Sequence, residues 1–220
     1  MLFLILNKVF LVLSFIIAVV IHEYSHGLMA LRLGDDTAQE SGRLSLNPLV
    51  HIHPVGTIIL PLLLLAVGFI PFGWAKAVPV NPHNFNNQRK DVALVSFAGP
   101  AANFILATTA ALLLRLGGVI PSKTILLNAT QTVTNPFINF LFYLILVNLF
   151  LAFFNLIPIP PLDGSKILSA YLPRGINWKY KKLAPYGILI IFILLYFFNV
   201  LGSLIGGLVY ILIKMYSIGG

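Results

Sequence analysis

Two histidines four residues apart with a glutamate beside the first, His22-Glu23-Tyr24-Ser25-His26, form a local pattern with a definite chemistry. On a helix, positions i and i+4 share a face, so both imidazoles can bind one Zn²⁺ while Glu23, one residue on, reaches a water at the metal. Random placement of the five His and of Glu23 and Glu40 would produce such a pattern about 0.001 times in a chain of this length. The competing reading, polar residues that merely satisfy one another inside a helix bundle, leaves a costly carboxylate in an apolar helix without a functional partner.

A catalytic zinc takes three protein ligands and keeps one position for water. The remaining acidic residues are few. Asp35, Asp36 and Glu40 cluster in a polar stretch, and Asp91 is placed to cap a helix, which leaves Asp163 as the carboxylate beside apolar segments. It sits in Asn155-Leu-Ile-Pro158-Ile-Pro160-Pro161-Leu-Asp163-Gly164, where three prolines and a glycine impose irregular backbone at the edge of an apolar run. Such backbone is tolerated at membrane depth only when it is buried in protein or lines a wet cavity; the alternative is a plain loop with a solvated Asp.

The elements that must position these residues are membrane helices. Of the 220 residues 59% are hydrophobic and 9% charged, with a mean hydropathy of +0.96, against roughly 25% charged in a soluble domain. The composition excludes a soluble globular protein and points to one all-α, polytopic membrane domain over residues 1–220. The net charge of +8 reads as topology and not as nucleic-acid binding, because the basic residues cluster at the ends of apolar runs. No cysteine is present, so disulfides and thiolate metal sites are excluded.

Segment A covers residues 2–31 and is expected to be a retained helix, since it runs into His22-Glu23 with no Ala-x-Ala cleavage pattern. Residues 42–57 alternate about Asn47-Pro48 and are expected to form a short membrane-associated β-hairpin. Segment B, residues 57–70, is apolar but has Pro61 and Gly68 within it, and as a helix it reaches only about 21 Å of a core about 30 Å thick. Segments C and D, residues 92–116 and 137–157, complete a three-helix core. Segment E, residues 183–213, is either one long tilted helix or a helical hairpin.

If B is re-entrant, one side carries Arg32, Arg43, Lys76, Arg89, Lys90, Lys166, Arg174, Lys179, Lys181 and Lys182, and the other Lys8, Arg115 and Lys123. That is a positive-inside distribution, although a spanning B also permits an asymmetric one. The metal site decides between them. His26 lies toward the trailing end of A and Asp163 just past the trailing end of D, so A and D must run the same way with a single crossing, C, between them. B then does not span, and the site lies near the cytoplasmic face of a multi-pass cell-membrane protein.

These residues resemble the site-2 protease family of intramembrane zinc metalloproteases, peptidase family M50, in its compact bacterial and archaeal type without PDZ or CBS domain. The resemblance rests on HEYSH in the first helix, Ser96-x-Ala98-Gly99-Pro100-x-x-Asn103 in the next, and Asn155-x-x-Pro158 leading to Leu162-Asp163-Gly164 after the third. It extends to Gly73-Trp74-Ala75-Lys76 and Pro79-Val80-Asn81-Pro82. By this resemblance His22, His26 and Asp163 are the Zn²⁺ ligands and Glu23 is the catalytic acid/base. Asn155 corresponds to a residue that contacts substrate or a reaction oxyanion, and Asn103 to a secondary polar residue of the core. Interhelical hydrogen bonding is the other reading of both asparagines, and Gly99-Pro100 reads as a packing kink.

The implied activity is zinc-dependent endoproteolysis of transmembrane segments of membrane-bound regulators or signal-peptide remnants. Its partners are a transmembrane-helix substrate and the lipid bilayer; substrate gating of the kind PDZ or CBS modules provide is either absent or supplied by a regulatory membrane partner. His51 and His53 fall in the expected hairpin, either as accessory metal ligands or as surface and turn imidazoles. The rival class is a nonproteolytic metal-binding transporter or channel, for which polar residues in several helices and an inverted repeat are expected.

Overall fold

The computed structural model describes residues 2–68, 73–118, 135–197 and 206–207. Lys123 and, within segment E, residues 198–205 and 208–213 lie outside the described residues, so the question of one helix or two in segment E lies there too. The described chain is all-helical, and three of its helices are long and apolar enough to cross a membrane.

Helix α1, Leu2–Arg32, is an unbroken run without proline. It stops at Gly34, which takes φ +99°, a left-handed conformation that a side chain would strain. The Gly34 amide bonds to Leu31 O at 3.1 Å and the Asp35 amide to Ala30 O at 2.9 Å, the pair of backward bonds that satisfies the last carbonyls of a helix. The short α2, Thr37–Glu40, follows.

The β-hairpin expected over residues 42–57 is not formed, and no strand is present among the described residues. Asn47 accepts from the Leu49 amide at 3.0 Å and starts a 3₁₀ turn, Pro48–His51. His53 Nδ1 accepts from the Gly56 amide at 3.0 Å and starts a π-type turn, Pro54–Ile59, which runs into α3, Leu60–Ala66. In each case the polar cap and the proline after it favour a helical start, and the proline has no N–H to give a ladder. The alternation of apolar residues here reflects turns and not strands.

Helix α4, Gln88–Leu116, begins earlier than the expected residue 92. Its cap is Asn87, which accepts from the Lys90 amide at 3.2 Å. Asp91, expected as the cap, instead accepts from the Asn87 amide at 2.9 Å, so the two side chains close the helix start reciprocally, in the manner of a capping box. Helix α5, Pro136–Asn155, is capped by Asn135. After the proline-rich turn come α6, Asp163–Tyr171, α7, Arg174–Lys181, and α8, Gly187–Phe197.

The packing of α1, α4 and α5 is the inverse of a soluble core. Asn7, Ser14, Asn103, Asn139 and Asn148 are buried, while Val12, Phe15, Ile105 and Leu112 are exposed. Lipid tails are as apolar as leucine, so membrane helices associate through close packing and interhelical hydrogen bonds and turn apolar side chains outward. A layer of small and large apolar residues, including Ala107, Ala110, Phe142 and Ile145, fills the α4–α5 contact.

Four contacts fix the helix directions. Asn103 bonds to Ala18 O and His26 to Val95 O, so advancing along α1 means retreating along α4, and the two are antiparallel. Asn139 bonds to Asn7 near the starts of α5 and α1. His26, in the last third of α1, reaches Asp163, just past the end of α5. Thus α1 and α5 are parallel, with α4 opposed to both.

Candidate metal centre

His22 and His26, one turn apart on α1, present their rings edge to face with centroids 4.6 Å apart. Both Nε2 atoms point at Asp163 Oδ2, each at 3.1 Å. Asp163 is the first residue of α6, delivered by the Pro158–Pro161 turn. All three residues are buried, and their ligand atoms lie within 4.8 Å of one another. Among the described residues no other group of three His, Cys, Asp or Glu is so gathered.

The outer nitrogens show what the inner ones can do. His22 Nδ1 lies 2.6 Å from Asn103 Oδ1, while the Asn103 amide nitrogen donates to Ala18 O at 3.1 Å and to Asn148 Oδ1 at 2.7 Å. Two acceptors on the nitrogen side fix the amide orientation, so its oxygen faces His22 and His22 Nδ1 must donate. His26 Nδ1 lies 2.7 Å from Val95 O and likewise must donate. In neutral imidazoles this leaves both Nε2 atoms as lone pairs. Together with a carboxylate oxygen they form three acceptors converging on one point with no hydrogen between them, an arrangement suited to a cation. The donor set N, N, O is a familiar one for zinc, and acceptors bonded to the outer ring nitrogens are the usual support of metal-ligating histidines. The residues therefore fit a zinc ion.

The second carboxylate oxygen of Asp163 is engaged by Lys166 Nζ at 3.0 Å, so one oxygen is held outward and one inward. Gly164 allows this placement, because a Cβ there would come within 2.1 Å of Leu156 O.

Gly99, read from the sequence as part of a packing kink, has a more direct role. A Cβ at this position would lie 2.5 Å from His26 Nε2 and 2.7 Å from His22 Cε1. Only glycine lets α4 pass this close to both rings. Sequence reasoning also missed the Val95 carbonyl, which no side-chain pattern could reveal, and Asn148, hidden in an apolar stretch where a lone asparagine is the only signal.

Glu23 adjoins the cluster on α1, half-buried, and its Oε2 accepts from the Val78 amide at 3.0 Å. Val78 belongs to a segment without regular secondary structure that runs from Gly73 to Asn81. Three anchors hold that segment: the Trp74 amide on Gly56 O at 3.1 Å, the Lys76 amide on His51 O at 2.8 Å, and the Asn81 amide on Asp35 Oδ2 at 2.8 Å. Arg43 donates to Lys76 O and Ala77 O.

Asn103 is fully buried and occupied by His22, Ala18 and Asn148, in a positioning role. Asn155, half-buried at the end of α5, donates to Leu151 O at 3.0 Å. His51 is buried and bonds to Ser45 O at 2.9 Å, and His53 caps the Pro54–Ile59 turn. Neither stands with the His22–His26–Asp163 group.

A family model described as peptidase family M50 matches residues 10–198. YwhC of Bacillus subtilis, whose name marks it as a candidate zinc metalloprotease, is 39% identical over 194 residues, spanning 88% of this chain and 82% of its own. Rip2 of Mycolicibacterium smegmatis, similarly named, is 31% identical over 194 residues, or 85% of this chain and 66% of its own. Rip2 of Mycobacterium tuberculosis H37Rv is 32% identical over 164 residues, 74% of this chain and 58% of its own. No solved structure matches the chain.

Proposed function

The chain belongs to peptidase family M50, and from that premise we propose that it is an intramembrane zinc metalloendopeptidase that cleaves transmembrane segments of membrane-bound regulators or signal-peptide remnants. The observation that carries the proposal is the convergence of His22 Nε2, His26 Nε2 and Asp163 Oδ2, with both outer ring nitrogens committed as donors.

His22, His26 and Asp163 would hold the zinc. The ion supplies a Lewis acid for the scissile carbonyl and lowers the pKa of water toward about 7. Glu23 takes the proton from the attacking water and returns it to the leaving amide nitrogen. The Val78 amide, bonded to Oε2, fixes the orientation of that carboxylate. Asn103 and Val95 hold the rings, and Lys166 holds the outer oxygen of Asp163. Asn155, one turn before the proline-rich loop, is the residue assigned to substrate contact. A substrate helix must unwind locally before it reaches Glu23, because its hydrogen-bonded backbone hides the carbonyls.

The segment Pro54–Ala66 is read as re-entrant. Its helical part spans less than about 20 Å of a core about 30 Å thick. The chain that leaves at Gly56 returns at Trp74, whose amide bonds to Gly56 O, and the Thr57 hydroxyl donates to Trp74 O at 3.0 Å. This supports a single crossing, α4, between α1 and α5. With the basic residues on the site's side, the centre faces the cytoplasm.

The test is metal analysis of the purified protein together with a detergent cleavage assay on model transmembrane peptides. Stoichiometric zinc and cleavage of a peptide containing a helix-breaking residue are expected. Zinc without cleavage of any such peptide, accompanied by metal flux in vesicles, would overturn the peptidase reading in favour of a transporter.

A further inference from the structure

Past the metal loop the sequence changes character. No Asp or Glu follows Asp163, yet Arg174, Lys179, Lys181 and Lys182 fall within nine residues. All four are exposed, and among the described residues none has a carboxylate partner. At about 100° per residue, Lys181, Arg174, Trp178, Lys182 and Lys179 fall within an arc of about 160° around α7. Trp178 is 62% exposed, and Lys182 Nζ sits 3.6 Å over its ring.

The opposite face of α7 is docked on the protein. Tyr180 Oη donates to Pro158 O at 2.8 Å, and the Ser169 hydroxyl donates to Asn177 Oδ1 at 2.6 Å. The cationic face is thus turned away from the protein by two specific bonds. Directly after it, Tyr186 is exposed and α8, GILIIFILLYF, is apolar throughout. Gly187 at its start packs against the metal loop, where a Cβ would meet Pro160 O.

We propose that the cationic, tryptophan-bearing face of α7 binds anionic phospholipid headgroups and sets the height of the Pro158–Asp163 loop in the bilayer. Clustered Lys and Arg beside a membrane helix attract anionic lipid, and an indole with one apolar side and one N–H belongs at the interface. Phosphate oxygens supply the carboxylate-like acceptors that the four cations lack among the described residues. The inference rests on the membrane reading of the chain and not on its proteolytic activity.

The test uses the full chain in nanodiscs of mixed phosphatidylglycerol and phosphatidylcholine, with shallow bromine labels on one lipid or the other. Quenching of Trp178 is obtained as the difference between wild type and Trp178→Phe, which removes the Trp74 signal. Bromine on phosphatidylglycerol is expected to quench Trp178 more than bromine on phosphatidylcholine at equal mole fraction. The quadruple variant Arg174→Gln, Lys179→Gln, Lys181→Gln, Lys182→Gln is expected to abolish that preference, with each cation contributing up to about fivefold. Tyr180→Phe is expected to keep the preference, since it loosens the docked face alone. Equal quenching by the two lipids, or a preference that survives the quadruple variant, would overturn the proposal. Because the readout needs no cleavage, a protein that shows metal flux in place of cleavage and keeps the lipid preference would refute the peptidase reading and leave this one standing.

Discussion

His22 Nδ1 and Asn103 Oδ1 lie 2.6 Å apart on antiparallel helices, and this bond joins the assembly of the membrane core to the orientation of a proposed metal ligand. Asn103 also ties α4 to α1 through Ala18 O and to α5 through Asn148. One side chain therefore sets the ring that faces Asp163 and clamps the three helices around it.

Asn103→Leu removes the acceptor for His22 while keeping the side-chain volume. The His22 ring is then free to rotate or change tautomer, and zinc affinity is expected to fall about 10–100-fold. Chelator competition measures this; unchanged affinity with intact helix content would show that Asn103 serves packing alone.

Gly99→Ala places a methyl group 2.5–2.7 Å from both imidazoles. Overpacking of this kind costs about 1–3 kcal/mol, and here the atoms that must give way are the rings of the proposed ligands, His22 and His26. Helix propensity favours Ala over Gly, so circular dichroism is expected to stay unchanged while metal stoichiometry drops. Full zinc occupancy would mean that the rings have room the packing does not indicate.

Much of this centre was legible in the sequence because i, i+4 spacing on a helix and the scarcity of acidic residues left few ways to assemble it. Segments 2–31 and 137–157 were read close to α1 and α5, since long apolar runs have few alternatives. Residues 42–57 were misread because alternation was weighed above the Asn47-Pro48 and His53-Pro54 pairs, whose caps and missing amides favour turns. Gly99 was invisible for another reason: what it does depends on rings 73 and 77 residues earlier in the chain, a proximity that no local pattern encodes.

Glu23→Gln and Asp163→Asn separate chemistry from metal holding. Gln keeps shape but cannot accept a proton, so zinc content is expected to be normal and turnover to fall about 10²–10⁴-fold or more. Asn is a weaker zinc ligand than a carboxylate, and it also breaks the ion pair with Lys166, so that variant is expected to lose zinc on dialysis. Normal turnover in Glu23→Gln would remove Glu23 from the mechanism.

Asp35 carries a pH prediction for the segment that holds Glu23. Burial pushes its carboxyl upward, but the Thr37 hydroxyl, the Asn81 amide, the Asn84 side chain and the Thr37 amide outweigh that and hold it below the usual carboxylate range. A depressed folded-state value stabilises the protein above the unfolded pKa of about 3.9 and loses that contribution as pH falls toward the folded value. Thermal unfolding in detergent is expected to weaken on acidification below about pH 4 in wild type, and less so in Asp35→Asn. At neutral pH the variant is expected to be less stable by about 1–3 kcal/mol through donors left without a carboxylate. Parallel acid profiles for the two proteins would dissociate Asp35 from acid sensitivity.

The re-entrant reading of Pro54–Ala66 makes the sharpest topological prediction. His26, in the last third of α1, meets Asp163, just past the trailing end of α5, and α1 and α5 are parallel, so an odd number of crossings separates them. Helix α4 supplies one. A crossing by Pro54–Ala66 would make the number even, yet Gly56 O and the Trp74 amide are bonded across its two ends, and Arg43 reaches over to Lys76 O. In this cysteine-free chain, single cysteines beside Arg43 and Lys90 are therefore expected to react with an impermeant reagent from the cytoplasmic side. A cysteine beside Lys123, outside the described residues, is expected to react from the opposite side. Reaction of the Arg43 and Lys90 positions from opposite sides would put a membrane between two groups that the backbone bonds hold together, and would break the path that brings Asp163 to His26.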